Sequence, residues 1–114
     1  MNKLNDLEKD ILDILKSHIG EENKLTQYRI ADMLWFKVET NERQVRIIIA
    51  DLIEQGYPIV STPSNGGGYF WQYKPEEGLE CYRRIRRQAI KLFLKARKIR
   101  ANSRTGQLDL DIRF

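Results

Sequence analysis

The sequence predicts a mainly α-helical chain with one small β-hairpin, and three observations carry that prediction. Apolar residues recur at three- and four-residue spacing in three stretches between Asp6 and Gly56. After Gly56 the period shortens to alternation on either side of Gly66-Gly67-Gly68. From Pro75 the helical rhythm returns and holds to about Ala101. A chain of 114 residues is long enough for one compact domain and an added element, and too short for two full domains.

The first helix is expected from Asp6 to about Ile19. Asn5 suits the N-cap, and Glu8 three residues on completes a capping box. Leu7, Ile11, Ile14 and Leu15 form its apolar stripe, and Gly20 stops it. His18, near that end, is placed to meet the last carbonyls rather than to do chemistry. Thr26 caps a second helix from Gln27 to about Phe36, built on Tyr28, Ile30, Ala31, Leu34 and Trp35; Trp35 and Phe36 are expected in the core.

Thr40 or Asn41 opens a third helix that ends at Gly56. Its core stripe is Val45, Ile48, Ile49 and Leu52. The other side presents Arg43, Ile47, Ala50 and Glu54, flanked by Thr40, Gln44 and Arg46. Residues 57–62 and 69–73 then read as two strands. The three glycines between them permit positive φ and a tip bare of side chains. Phe70 alternates with Tyr69, Trp71 and Tyr73, a pattern that favours packing of the hairpin over base stacking.

Pro75, Glu76 and Glu77 suit the first turn of a long fourth helix. Ile85, Ala89, Leu92, Ala96 and Ile99, preceded by Tyr82, make a heptad seam, which Ile90, Phe93 and Leu94 widen. Asn102 to Gly106 is expected to end this helix. The expected organisation is a domain over 1–74, a helix over 75–102 and a tail over 103–114.

The net charge of +4 hides an asymmetry. Residues 1–78 hold nine Lys/Arg against 13 Asp/Glu, residues 79–104 ten against one, and residues 105–114 one against two. A segment of net +9 suits a polyanion or an acidic protein face. One cysteine, Cys81, forms no internal disulfide, and with one histidine it makes no zinc site. No metal or cofactor is expected. Apolar runs reach only four residues, too few for a membrane span, and the N-terminal residues lack a secretory signal, so a cytoplasmic location is expected. The glycine run precedes a strand and not a helix, so it lacks a dipole-supported phosphate site. Enzyme activity is not expected.

Three helices followed by a hairpin is the order of a winged helix-turn-helix. Three segments carry the likeness: Arg43-Gln44-Val45-Arg46, Leu52 to Ser61, and Gly68-Tyr69-Phe70-Trp71. They resemble the DNA-binding domain of the biotin operon repressor and small bacteriophage winged-helix proteins, over roughly half the chain. The resemblance implies duplex DNA as partner. No ligase or effector domain accompanies it, so small-molecule sensing is not implied.

The chemistry agrees with that expectation. Arg43, Gln44 and Arg46 offer guanidinium and amide groups suited to guanine and adenine edges, and Ile47 suits a thymine methyl. Lys37, Thr40 and Asn41 are candidate phosphate contacts at the helix start, and Ser64 and Asn65 at the hairpin tip. Arg83, Arg84, Arg87 and Lys91 of the fourth helix are candidates for phosphate binding with counterion release. Its seam has two readings, packing on the first helix or pairing with a second copy as a homodimer. Dimer plus DNA is the combination favoured here. A solvated lone helix would leave Ile85, Leu92, Phe93 and Ile99 facing water.

The tail has two readings. Gln107-Leu108-Asp109-Leu110-Asp111-Ile112 resembles the peptide by which bacterial proteins dock on the replication sliding clamp, with Asp111 where proline is common. The end through Ile112 and Phe114 resembles the tail tip of single-stranded-DNA-binding proteins, interrupted by Arg113. Strict alternation of Leu108, Leu110, Ile112 and Phe114 with charges equally suits a half-buried strand. The expected function is duplex DNA binding in replication or transcription regulation, with phage or prophage origin. The alternative is an adaptor that holds an acidic protein without binding DNA.

Overall fold

The computed structural model describes residues 4–113, with the side chains of Asn65 and of residues 105–113 outside the described set. The elements run α1 (Asp6–Lys16), α2 (Gln27–Leu34), α3 (Glu42–Glu54), β1 (Ile59–Thr62), β2 (Gly68–Trp71) and α4 (Pro75–Arg113). Single 3₁₀ turns lie at Glu21–Asn23 and Ser64–Gly66. The chain is mainly helical, with one antiparallel hairpin and a long C-terminal helix, as its periodicity predicts.

The capping box of α1 forms as expected. Glu8 N–H donates to Asn5 Oδ1 at 2.8 Å, and Asn5 N–H to Glu8 Oε1 at 3.3 Å. The helix ends at Lys16, three residues early, because the following backbone leaves to pair with β2. Trp71 N–H donates to the His18 carbonyl and Gly20 N–H to the Trp71 carbonyl, both at 2.9 Å. Gly20 takes a φ of 85° that permits this turn. The His18 ring does meet the end of α1, with Nδ1 2.7 Å from the Ile14 carbonyl oxygen. Leu25 and Tyr69 then exchange backbone hydrogen bonds of 2.8 Å in both directions. So β2 is flanked by β1 on one edge and by the α1–α2 connection on the other.

The hairpin register pairs Ile59 with Trp71, Val60 with Phe70, Ser61 with Tyr69 and Thr62 with Gly68. The strands are shorter at their outer ends than the alternation predicts. The helical core gathers Ile11, Leu12 and Leu15 of α1, Ile30, Ala31 and Leu34 of α2, Val45, Ile49 and Leu52 of α3, with Leu25 and Ile59. Burying each of the Val, Leu and Ile side chains contributes about 1.5–3 kcal/mol. Tyr57, Tyr69 and Trp71 pack against this cluster, so the hairpin aromatics at 69 and 71 serve packing. Val60 and Phe70, paired across the hairpin, are buried outside it.

The chain divides into two compact units, residues 1–81 and 82–114, with the boundary inside α4. Glu77 secures the start of that helix, its Oε1 accepting from Tyr73 N–H at 2.7 Å and Lys74 N–H at 2.8 Å. The sequence places the helix end near Ala101 and a tail from residue 103; the helix instead runs to Arg113. One glycine, Gly106, costs about 1 kcal/mol within a helix, too little to break a long one, and no proline follows. Residues 107–113 therefore continue the helix, and the strand reading of the tail is set aside. Among the described residues no helix is long and apolar enough to cross a membrane.

Candidate nucleic-acid interface

The start of α3 is fixed by a second capping box. Gln44 N–H donates to Asn41 Oδ1 at 2.8 Å, and Asn41 N–H to Gln44 Oε1 at 3.2 Å. Asn41, not Thr40, is the cap. Asn41 is exposed, but its side-chain oxygen is committed to the helix, while Gln44 keeps its amide N–H donors. Beyond the cap, Arg43, Arg46, Ile47 and Ala50 are all exposed, at relative positions i, i+3, i+4 and i+7 of one face. The opposite stripe, Val45, Ile49 and Leu52, is fully buried and locks the rotation of the helix. Ile47 is 58% exposed, an apolar side chain between two arginines. Asp51 and Glu54 lie in later turns, and Asp51 Oδ2 accepts from Gln55 Nε2 at 2.9 Å. The cationic groups of α3 are thus confined to its first two turns, although exposed Glu42 stands beside them.

Of the phosphate candidates near this start, Thr40 is corrected and Lys37 is already paired. Thr40 is only 3% exposed and its Oγ1 donates to the Val38 carbonyl at 3.1 Å, so its hydroxyl serves the turn. Lys37 Nζ lies 3.0 Å from Asp10 Oδ2, tying the α2–α3 turn to α1. That pair is on the surface and therefore weak, so a phosphate can compete for the ammonium.

The hairpin tip differs from expectation. Thr62 Oγ1 and Ser64 Oγ both donate to Glu21 Oε1, at 3.0 and 2.9 Å. Lys24 Nζ donates to the Ser64 carbonyl. The Ser64 hydroxyl is committed to a carboxylate, which repels phosphate at the spot where a phosphate contact was expected. The Asn65 side chain lies outside the described residues. Glu21 and Lys24 were not singled out from the sequence, because partners some 40 residues apart leave no local signal.

The aromatic residues after α2 are also corrected. Trp35 is 61% and Phe36 87% exposed, not core. The helix ends at Leu34, so both residues fall past the buried Ile30-Ala31-Leu34 stripe.

In the second unit, Arg83, Arg87 and Lys91 are exposed and spaced four apart, a row with about 6 Å of rise per step. Arg84 is half-buried. The side chains of Gln107, Leu108, Leu110 and Ile112, and all of Phe114, lie outside the described residues. No group of three or more His, Cys, Asp or Glu side chains is placed to hold a metal ion among the described residues. No protein-family model, curated protein or solved structure matches the chain.

Proposed function

We propose that the chain is a small winged-helix protein that binds duplex DNA, with α3 reading base edges in the major groove and the basic face of α4 holding phosphates. The observation that supports this best is the α3 face itself. Two arginines and one aliphatic side chain stand exposed in the first two turns, on a helix whose opposite stripe is wholly buried. That is what groove reading needs: base-reading groups near a helix start, held in fixed rotation by the core. A role in replication or transcription regulation, a phage or prophage source and a cytoplasmic location complete the proposal. The likeness of residues 107–112 to a clamp-docking peptide tilts it toward replication.

Fluorescence anisotropy with labelled duplexes at low salt tests the DNA reading. Binding is expected to fall steeply with salt and to lose sequence preference in the Arg43→Ala, Arg46→Ala double variant. Absent binding at low salt, or an unchanged double variant, would overturn it. Comparing full-length and 1–106 protein for binding to sliding clamp tests the replication link, and equal binding removes it.

A second reading has its own observation. Tyr28, Trp35, Phe36 and Val38 are exposed on α2 and the turn after it, the kind of apolar surface that protein partners cover. An adaptor would hold an acidic protein and purify without nucleic acid, with a low 260/280 nm absorbance ratio.

A further inference from the structure

The seam of α4 stands uncovered on the described helix. Tyr82, Ile85, Leu92, Phe93 and Ile99 are all half exposed or more. Leaving such a stripe in water is costly, so it calls for an occupant. From Ile85 onward the residues alternate in size as well as in spacing: Ile85, Leu92 and Ile99 take one heptad position, and Ala89, Ala96 and Ser103 the other, with Tyr82 the one large residue of the second set.

We propose that this seam pairs with the same seam of a second copy, antiparallel, with Ala89 of one chain opposite Leu92 of the other. In a parallel pair, like positions meet. Ala89 would face Ala89 and Ala96 would face Ala96, and both layers would be left underfilled between the large ones. In the antiparallel pair, unlike positions meet. Ala89 then meets Leu92, Ile85 meets Ala96 and Tyr82 meets Ile99, and each of the two central pairs joins a large residue to a small one. Filled layers are what interior packing demands.

The charges select the same arrangement. Parallel pairing sets Lys95 against Arg100 on both flanks, two like-charge contacts with no acid nearby. Antiparallel pairing sets Arg86 over Phe93, Lys95 beside Gln88 and Arg100 beside Leu79 of the second copy. No flanking position then meets a like charge, and Arg86 gains an aromatic face. An acidic partner helix would satisfy the charges but not the reciprocal size pattern, which is self-complementary. Arg83, Arg87, Lys91 and Lys98 stay on the outer side, clear of the contact. This inference stands apart from the DNA reading, because it concerns the opposite face of the helix.

Sedimentation equilibrium of the nuclease-treated full chain at high salt is the first test, and a dimer is expected. Leu92→Arg should give monomer, whereas Leu94→Arg, which widens the apolar stripe but stands one heptad from Arg87 on the outer side in this register, should leave the dimer intact. Both residues are exposed, at 66% and 55%, so neither change disturbs the folded unit. Orientation is read by oxidation in a Cys81→Ser background. Ile85→Cys and Ala96→Cys chains should cross-link when mixed and stay unlinked alone. Monomeric wild-type protein, equal effects at 92 and 94, or self-linking of Ile85→Cys would each overturn the proposal.

Discussion

Replacing Arg83, Arg87 and Lys91 together by glutamine removes three exposed cations from one row of α4 and leaves its apolar seam untouched. If each neutralises one phosphate, the change in binding can be worked out beforehand. Each phosphate contact contributes about 0.9 to the slope of log affinity against log salt, so three contribute about 2.7. Between about 50 and 200 mM salt, that difference amounts to roughly a 40-fold change in relative affinity. The assay is anisotropy over that range, on a preferred and a random duplex. Both duplexes should lose affinity equally, because phosphate contacts position the protein without reading sequence. A slope unchanged within error would refute the assignment of this row to phosphates. A selective loss on the preferred duplex would refute the division of roles between the two helices.

Three further outcomes follow from the first unit. Asn41→Ala removes the α3 cap and should cost about 1 kcal/mol of stability, read by urea denaturation; it should also weaken DNA binding by loosening the turn that carries Arg43. Phe70→Ala empties a side chain that is 1% exposed, and should cost about 3–5 kcal/mol, enough to lower the melting temperature sharply. Burial pushes the Glu77 carboxyl upward, but the N–H groups of Lys74 and Tyr73 and the Lys74 charge outweigh it and hold its pKa below the ordinary 4.5. Stability from this group is therefore fully present above about pH 4.5 and lost as pH falls through the lowered value, and Glu77→Gln should flatten that acid limb in pH-dependent melting.

What could be read in the residues was whatever is local. Asn5 with Glu8 announces the first helix start within four residues and that box forms, while the third start, open between Thr40 and Asn41 in the sequence, is settled by the box of Asn41 with Gln44. The stripe Val45-Ile49-Leu52 sets which side of α3 is buried, and by exclusion which side carries Arg43, Arg46 and Ile47. What was hidden is set by distant partners. Pairing of β2 with His18, Gly20 and Leu25 shortens α1, yet single backbone bridges have no periodic signature. Ser64 looked free because Glu21 lies 43 residues earlier. Trp35 and Phe36 looked like core because size and apolarity say nothing of where a helix stops. In the tail, alternation suited a strand as well as a docking peptide, but an established helix propagates at small cost per residue even through Asn102, Ser103, Thr105 and Gly106, because its nucleus is already formed.

The hairpin tip bears on where affinity can originate. The first 78 residues carry net −4, and at the tip a carboxylate occupies the place where a wing would reach a phosphate. On the proposed DNA reading, the first unit would supply Arg43 and Arg46 for reading but little electrostatic hold, since its net charge is negative and Lys37 must first leave Asp10. The second unit has the reverse character, with ten basic residues among residues 79–104 and regular spacing that carries no sequence information. On that proposal, reading and holding are separable. Glu21→Gln probes the separation from the other side. Removing the tip carboxylate should strengthen binding to every duplex alike at low salt while leaving sequence preference unchanged. If preference shifts instead, the hairpin tip takes part in reading, and α3 is not the sole source of specificity.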